Sequence, residues 1–258
     1  MRVVDNKTVN AVGNSKDQAI RVNDFVIKFA NVNGTGSASA NHLFAKSVFR
    51  LGIPVSPRNI FPSNIQGSPT WYEVRVNEQG YLGRKGTVDI MVAMNAQSFL
   101  DDVNSVEPGG YILYDATKPL DTDRYRTDIH WIGIPITEIC LREFSNPKQR
   151  QLFKNIVYIG ALIALLDIEF SVVKDLIKDQ FSGKEKLITP NVFALELGCQ
   201  WAREHLTCPL SIRVKRLDKL TNKIFIDGNE AAGLGCVYAG VTVAAWYPIT
   251  PSTSLVDS

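Results

Sequence analysis

The sequence lacks a charge excess. Its 258 residues hold 28 Lys and Arg against 26 Asp and Glu, a formal net charge of +2. A surface that binds a phosphate backbone needs a basic surplus, so nucleic acid is not an expected partner. Cysteine is scarce: Cys140, Cys199, Cys208 and Cys236 form no C-x-x-C pair. That argues against a metal or iron–sulfur site within this chain and fits reduced thiols in a cytoplasm. Long hydrophobic runs are missing too. The longest stretch free of charged and strongly polar groups runs only from Ile156 to Leu166, about half of the ~20 residues a membrane span needs, and reads as a buried helix. The N-terminus carries Arg2, Asp5 and Lys7 with no apolar stretch, so no secretory signal is expected. With 45% hydrophobic and 21% charged residues, the rest is ordinary globular composition in one or two domains.

Residues 1–21 are polar and aperiodic and read as a flexible lead-in. Phe25 to Val32 is an apolar strand, followed at once by Asn33-Gly34-Thr35-Gly36-Ser37 and by Leu43, Phe44, Val48 and Leu51 at helical spacing, with Gly52 as a stop. Further strands are predicted at Trp71–Val76, Val88–Met94, Tyr111–Asp115 and His130–Pro135. Asn95 is a candidate cap for a helix through Val103, Pro108-Gly109-Gly110 a candidate turn, and 136–144 a helix. Strands alternating with helices indicate an α/β fold with a Rossmann-like, mostly parallel sheet. Three helices follow without a strand: 147–168, 171–181 and 190–206, the last with Thr189 as cap and Pro190 in its first turn. Residues 207–223, with Arg213, Lys215, Arg216, Lys219 and Lys223 against Asp218, read as a solvated basic linker. The segment 224–258 begins a second unit, with Asp227 or Asn229 capping a helix and a buried strand expected at Val241–Tyr247. One helix and one strand cannot enclose a core. This piece is expected either to dock on something else or to open a longer protein.

Three places carry candidate chemistry. As a dinucleotide fingerprint G-x-G-x-x-G, the first loop has Gly34 and Gly36 in place but Ser39 at the third glycine. Where an acid should meet a ribose, it has Ser56, Pro57, Arg58 and Asn59. A free NAD site is disfavoured; a phosphate-tolerant or interface loop of Gly34, Thr35, Gly36 and Ser37 and a purely structural tight turn both stay open. The second place, Gln66-Gly67-Ser68-Pro69-Thr70-Trp71-Tyr72, is a shaped loop or merely a turn with core aromatics. The third is Tyr247-Pro248-Ile249-Thr250-Pro251-Ser252, where two prolines fix the path and Thr250 is a hydrogen-bond donor suited to a carboxylate or carbonyl. His42, His130 and His205 each lack an adjacent nucleophile, and Asp101-Asp102 and Asp121/Asp123 read as solvated carboxylates.

Together these segments resemble a known family. Asp227-Gly228-Asn229-Glu230-Ala231-Ala232-Gly233-Leu234-Gly235, then Tyr238-Ala239-Gly240 and Trp246 through Ser252, are similar to the opening of the α subunit of 2-oxoacid:ferredoxin oxidoreductases. Gly34 to Ala40, Ile65 to Tyr72 and Val88 to Asn95 resemble the γ domain, which the 2-oxoglutarate type fuses ahead of α. The resemblance covers residues 22–258 in the family's order. It implies a γ domain over 22–206, a linker over 207–223 and, over 224–258, the start of an α/β domain of the thiamine-diphosphate pyrimidine-binding type.

The activity so implied is oxidative decarboxylation of a 2-oxoacid, 2-oxoglutarate above all, to an acyl-coenzyme A and CO2 with reduction of ferredoxin. By the same resemblance Thr250 lies beside substrate and thiamine ring, Tyr247, Pro248 and Ile249 form its wall, and Gly34, Gly36 and Ser37 match the γ-domain loop. Thiamine diphosphate with Mg2+ and the iron–sulfur cluster are implied to sit mainly on a β subunit, with coenzyme A as co-substrate, in a cytoplasmic heterodimer or dimer of heterodimers. The family's thiamine-activating glutamate and substrate-binding arginine fall past Ser258, so Glu230 is not that glutamate and the isolated chain is expected to be inactive. The alternative reading is a non-catalytic Rossmann-like binding or interaction module.

Overall fold

The computed structural model describes residues 19–62, 65–122, 125–249 and 252–257; the expected lead-in lies almost wholly outside them. The chain divides into two compact units, one through Lys219 and one from Leu220.

The first unit opens with β1 (Arg21–Val22) and β2 (Asp24–Val32). Then come α1 (Ser37–Arg50), β3 (Val55–Ile60), β4 (Pro69–Asn77), β5 (Val88–Ala93) and α2 (Phe99–Ser105). β6 (Val106–Asp115), β7 (His130–Ile134), α3 (Ile136–Glu143), α4 (Pro147–Leu165), α5 (Phe170–Gln180), α6 (Glu185–His205) and β8 (Ile212–Arg213) complete it. Six strands form one sheet in the order β3-β4-β2-β5-β6-β7. β2, β5, β6 and β7 run parallel, while β4 is antiparallel to both of its neighbours. The mostly parallel α/β sheet is therefore present, with a hairpin, β3–β4, added at one edge.

Strand alternation sends Phe29 to one face, where its ring meets Phe44 of α1 at 5.5 Å and Tyr158 of α4 at 6.0 Å. Ala30, Met91, Ala93 and Ile112 face the other way and pack with Val103 of α2 and Ile129, flanked by Trp71, Phe99, Tyr125 and Trp131. Fully burying each such aliphatic or aromatic side chain contributes about 1.5–3 kcal/mol. α4 crosses α6 through two glycines. A Cβ on Gly160 would lie 2.2 Å from the Leu195 carbonyl oxygen, and one on Gly198 1.9 Å from that of Val157. Only glycine permits this backbone approach.

Several elements differ from the sequence expectation. β3 was not foreseen; Pro57 lies in it because it is an edge strand, where a missing N–H costs nothing. β6 begins at Val106, so Pro108-Gly109-Gly110 lies inside a strand with a register shift opposite β5 rather than in a turn. α2 starts after Ser98, and Asn95 instead accepts a bond from the Gln97 N–H just before it. α6 begins at Glu185, because Glu185, Lys186 and Leu187 are good helix formers, and it tolerates Pro190 inside its early turns.

Residues 211–219, part of the basic stretch read as a solvated linker, are stitched onto the first unit. β8 pairs parallel with β1. The fully buried Asn23, at φ 53°, donates through Nδ2 to the Lys215 carbonyl at 2.7 Å and accepts from its N–H at 2.8 Å. The Arg216 guanidinium binds both oxygens of Glu169, and Lys219 Nζ donates to the Glu78 carbonyl.

The second unit holds α7 (Gly228–Tyr238) and α8 (Ser252–Val256). Asp227 caps α7 in a capping box: it accepts from the Glu230 N–H at 2.8 Å, and its own N–H donates to Glu230 Oε2 at 3.2 Å. The strand expected at Val241–Tyr247 is not formed. A strand needs a partner ladder, and no other strand exists among the described residues of this unit.

Candidate ligand cleft and the sequence-predicted sites

The chain leaves β2 toward α1 on one face of the sheet and leaves β5 toward α2 on the other. At such a switch point the carboxyl ends of the two strands open a crevice. A cleft of about 480 Å³ lies there, lined among others by Asn31, Thr35, Asn95, Phe99, Tyr114, Asp115, Lys118, Lys154 and Asn155.

Amides build its floor. Asn31 Oδ1 accepts from Asn41 Nδ2 at 3.0 Å, and the Tyr158 hydroxyl donates to Asn41 Oδ1 at 2.7 Å. Burial pushes the Tyr158 phenol well above its ordinary range, so it serves as a neutral donor. Asn95 Nδ2 donates to the Asn31 carbonyl at 3.0 Å, joining the ends of β2 and β5. Asn155, buried on α4, donates to the Thr35 carbonyl at 3.0 Å and ties the Gly loop to that helix.

The Gly loop is a tight turn held from two sides. The Thr35 N–H and hydroxyl both donate to the Val32 carbonyl, and Gly34 and Gly36 take φ 86° and 74°. A Cβ on Gly34 would stand 2.9 Å from Gln66 Cγ, and one on Gly36 2.5 Å from Leu152 Cδ2. Gly36 is the N-cap of α1 without a side-chain cap bond, and Ser37 is its buried first residue. The second predicted loop docks against the first: the Asn33 N–H donates to the Ser68 carbonyl, its Nδ2 to the Ile65 carbonyl, and the Gly67 N–H to the Asn33 carbonyl.

Asp115 lies in the cleft but its carboxylate is committed. It accepts from the Thr117 N–H and hydroxyl and from the Thr137 N–H and hydroxyl, closing the N-terminus of α3. Asp102 departs from the solvated reading. It is 2% exposed and accepts from Trp71 Nε1 at 2.8 Å and Ser98 Oγ at 2.7 Å. Burial raises its pKa, with both hydrogen bonds opposing. Composition did not reveal this, because the paired Asp101 is exposed and only helix phase separates the two.

The histidines occupy structural positions: His42 Nδ1 lies 3.1 Å from the Tyr72 hydroxyl, His130 stacks on Tyr111 and His205 on Trp201. Cys140 and Cys199 are buried, and burial pushes the Cys140 thiol up to about 12. Thr250 lies outside the described residues. Tyr247, Pro248 and Ile249 belong to the second unit in an irregular segment; Tyr247 is 78% and Ile249 53% exposed. The Ser252 hydroxyl donates to the Tyr247 and Ile249 carbonyls and tightens that segment. No helix among the described residues is long and apolar enough to cross a membrane.

These features belong to a defined class. Residues 26–201 match the family described as pyruvate ferredoxin/flavodoxin oxidoreductase, and the chain belongs to it. Among its relatives, "2-oxoacid:ferredoxin oxidoreductase 2, subunit alpha" of Aeropyrum pernix is 24% identical over 89% of this chain and 42% of its own length. "Ketoisovalerate oxidoreductase subunit VorA" of Methanothermobacter thermautotrophicus is 33% identical over 70% of this chain and 37% of its own. A solved 2-oxoglutarate:ferredoxin oxidoreductase from Magnetococcus marinus, with 2-oxoglutarate, coenzyme A and succinyl-CoA bound, matches 91% of this chain and 40% of its own at 27% identity and TM-score 0.78. A γ subunit of a keto/oxoacid ferredoxin oxidoreductase from Geobacter sulfurreducens, 19% identical with TM-score 0.54, shares the fold over 70% of this chain and 99% of its own. The chain thus spans about 42% of the length of the first of these relatives.

Proposed function

We propose that this chain is the γ domain and the first part of the α domain of a cytoplasmic 2-oxoacid:ferredoxin oxidoreductase, of the 2-oxoglutarate type. It would work with a β subunit in a heterodimer or dimer of heterodimers. The observation that carries this reading is the match over 91% of the chain to a 2-oxoglutarate enzyme, at TM-score 0.78. A non-catalytic binding module would account for the Gly loop but not for the resemblance of the segment around Tyr247 to the α subunit.

Thiamine diphosphate, when bound, supplies the electron sink that lets a 2-oxoacid lose CO2. This chain's contribution to that site is the segment Tyr247, Pro248, Ile249 and Thr250, with Thr250 donating a hydrogen bond to substrate and its neighbours walling it in. Gly34, Gly36 and Ser37 act indirectly, by holding the loop between β2 and α1. The cysteines do not fit a cluster: ligation takes thiolates in clustered sets, whereas Cys140 and Cys199 are buried and burial raises both thiols. In this reading, which follows the family resemblance, the iron–sulfur cluster and the diphosphate with its Mg2+ are held mainly by the β subunit. Ferredoxin and coenzyme A are the further partners of the complex.

The test is co-expression of this gene's full reading frame with a β partner. The expected result is reduction of a viologen dye that requires 2-oxoglutarate, thiamine diphosphate and coenzyme A. Thr250→Ala should lower kcat by about ten-fold or more through lost positioning. An assembled complex that reduces no dye with any 2-oxoacid would overturn the reading, and unchanged kinetics in Thr250→Ala would remove the role given to Thr250.

A further inference from the structure

We propose that an apolar band on the first unit, running from Ile65 across the Gly loop to Leu152 and Phe193, is the docking surface for the β subunit, which meets it through an apolar ridge flanked by carboxylates. The proposal rests on the reading above that such a subunit is present, and it concerns assembly rather than turnover.

Several elements build the band. Ile65, Leu141, Leu152 and Phe193 are between 40% and 68% exposed, and contacts join them into one surface. A Cβ on Gly34 would touch Gln66, the neighbour of Ile65, and one on Gly36 would touch Leu152. Phe153, next along α4, packs on Phe144 at 4.4 Å, and Phe144 meets Phe193 of α6 at 5.9 Å. Leu141 stands on α3, three residues before Phe144. Between Ile65 and Leu152 the floor is low, because the exposed Gly34, Gly36, Ala38 and Ser39 carry little or no side chain. Residues 29–45 and 59–72, which supply that floor and the Ile65 edge, contain no Lys, Arg, Asp or Glu. Single exposed apolar residues are ordinary on a protein surface, whereas a joined set marks a place that something covers. A lipid surface is met by the apolar face of one amphipathic helix; this band is drawn from two loops and three helices, which suits a shaped protein partner.

Charge around the band specifies that partner. α4 opens with Lys148 and Arg150 and has no acid anywhere in its 19 residues. Cations at a helix N-terminus oppose the helix dipole, so their placement does not serve the helix. Arg150 turns back to the Phe144 and Ser145 carbonyls. Lys148 bonds Asn146 through its backbone N–H, and its ammonium has no hydrogen bond or ion pair among the described residues. Arg142 on α3 is 64% exposed beside Glu143. A partner with carboxylates on either side of an apolar ridge buries the band and pairs these cations at its rim. The chain itself leaves this unit elsewhere. β1, β8 and Lys219, which donates to the Glu78 carbonyl, lie at the amino end of β2, whereas the Gly loop follows its carboxyl end. A separate subunit, rather than the chain's own continuation, is therefore the occupant.

The test is the dissociation constant of the complex between the full reading frame and its β partner. Leu152→Asp should weaken assembly by about thirty-fold or more, the scale of a central interface residue. Lys148→Glu should weaken it by about three- to ten-fold, and that deficit should shrink as salt rises. In the parent complex the amides of 34–39 should exchange with solvent more slowly than in the chain alone. Should Leu152→Asp lower the urea midpoint of the chain, Lys148→Glu, an exposed change of charge alone, carries the test. Unchanged assembly in both variants overturns the proposal. Self-association of the chain alone that Leu152→Asp abolishes gives the band to a second copy and overturns it too, as does binding to anionic phospholipid vesicles that is lost in the same variant. A Leu152→Asp complex that assembles normally and reduces dye removes the interface and leaves the reaction standing; a parent complex that assembles through this band and reduces no dye does the reverse.

Discussion

The two units of this chain differ in the glycines that lie in helices or just past their ends. In the first, such glycines mark close backbone approaches: Gly160 and Gly198 let α4 and α6 touch backbone to backbone, and a Cβ on Gly52 would meet the Leu217 carbonyl oxygen at 2.0 Å. In the second, a Cβ on Gly228, Gly235 or Gly240 would meet nothing within 4 Å. The apolar residues divide likewise. Val157, Ile159 and Leu162 are buried at 0–1% exposure, while Val237, Tyr238 and Val243 stand 70–85% exposed. Small and apolar residues therefore mean packing only where another element arrives to be packed against. The first unit supplies both sides of its contacts; the second supplies one.

That contrast can be broken by substitution. The largest effect is expected at the α4–α6 crossing, where Gly198→Ala forces a Cβ to within 1.9 Å of the Val157 carbonyl oxygen. Helices must separate to admit it, at a cost of about 3 kcal/mol or more, read as a lower urea midpoint; an unchanged midpoint would mean the crossing is loose. Next comes Asn23→Ala. It removes two bonds to Lys215 and leaves a non-glycine residue at φ 53° without the local hydrogen bonding that made it tolerable. About 2–3 kcal/mol should be lost, with residues 211–219 released first in hydrogen exchange.

Asp102→Asn should have a smaller effect of the opposite sign. Burial raises the folded pKa of Asp102 above its ordinary 3.8, so its contribution to stability is fully present below that value and is lost as pH rises through the folded pKa. The amide keeps both neighbours: Oδ1 accepts from Trp71, and Nδ2 donates to the Ser98 hydroxyl. The variant should therefore be more stable than the parent near pH 7 by on the order of 1 kcal/mol, and the gap should close toward pH 4 in urea titrations. A loss of stability near pH 7 would show that the ionised form is the favoured one. The smallest effect belongs to the second unit. Gly235→Ala should do no harm and should raise the helicity of 228–238 by up to about 1 kcal/mol of propensity, measured by Cα chemical shifts. Unfolding of α7 in that variant would show that its small residues are already packed.

The parts of the fold that were legible follow from local rules. The β2–Gly loop–α1 unit was readable because an apolar strand, two glycines one residue apart and helical spacing occur in sequence, and the Asp227 capping box because its partners are three residues apart. β3 was hidden by Pro57, which argues against a strand unless the strand is known to be an edge. Val241–Tyr247 failed in the other direction, since its β-branched and aromatic character describes a half-buried strand and its unit offers no ladder. For the candidate sites, the Gly loop was visible, but its lock by Gln66, Leu152 and Asn155 joins residues more than 30 apart along the chain. Lys154 carried no signal at all: in sequence it is one lysine in an amphipathic helix.

Sequence alone determined the class of fold, the absence of a charge surplus and of a clustered thiol set, and the succession of motifs that places the chain in its family. All of these are carried by composition or by residues within a few positions of one another. Only the tertiary structure decided which lysine faces a cleft, which of two adjacent aspartates is buried, and which glycines are indispensable. Those properties depend on what distant elements bring to the same place, and contact across the fold has no local signature.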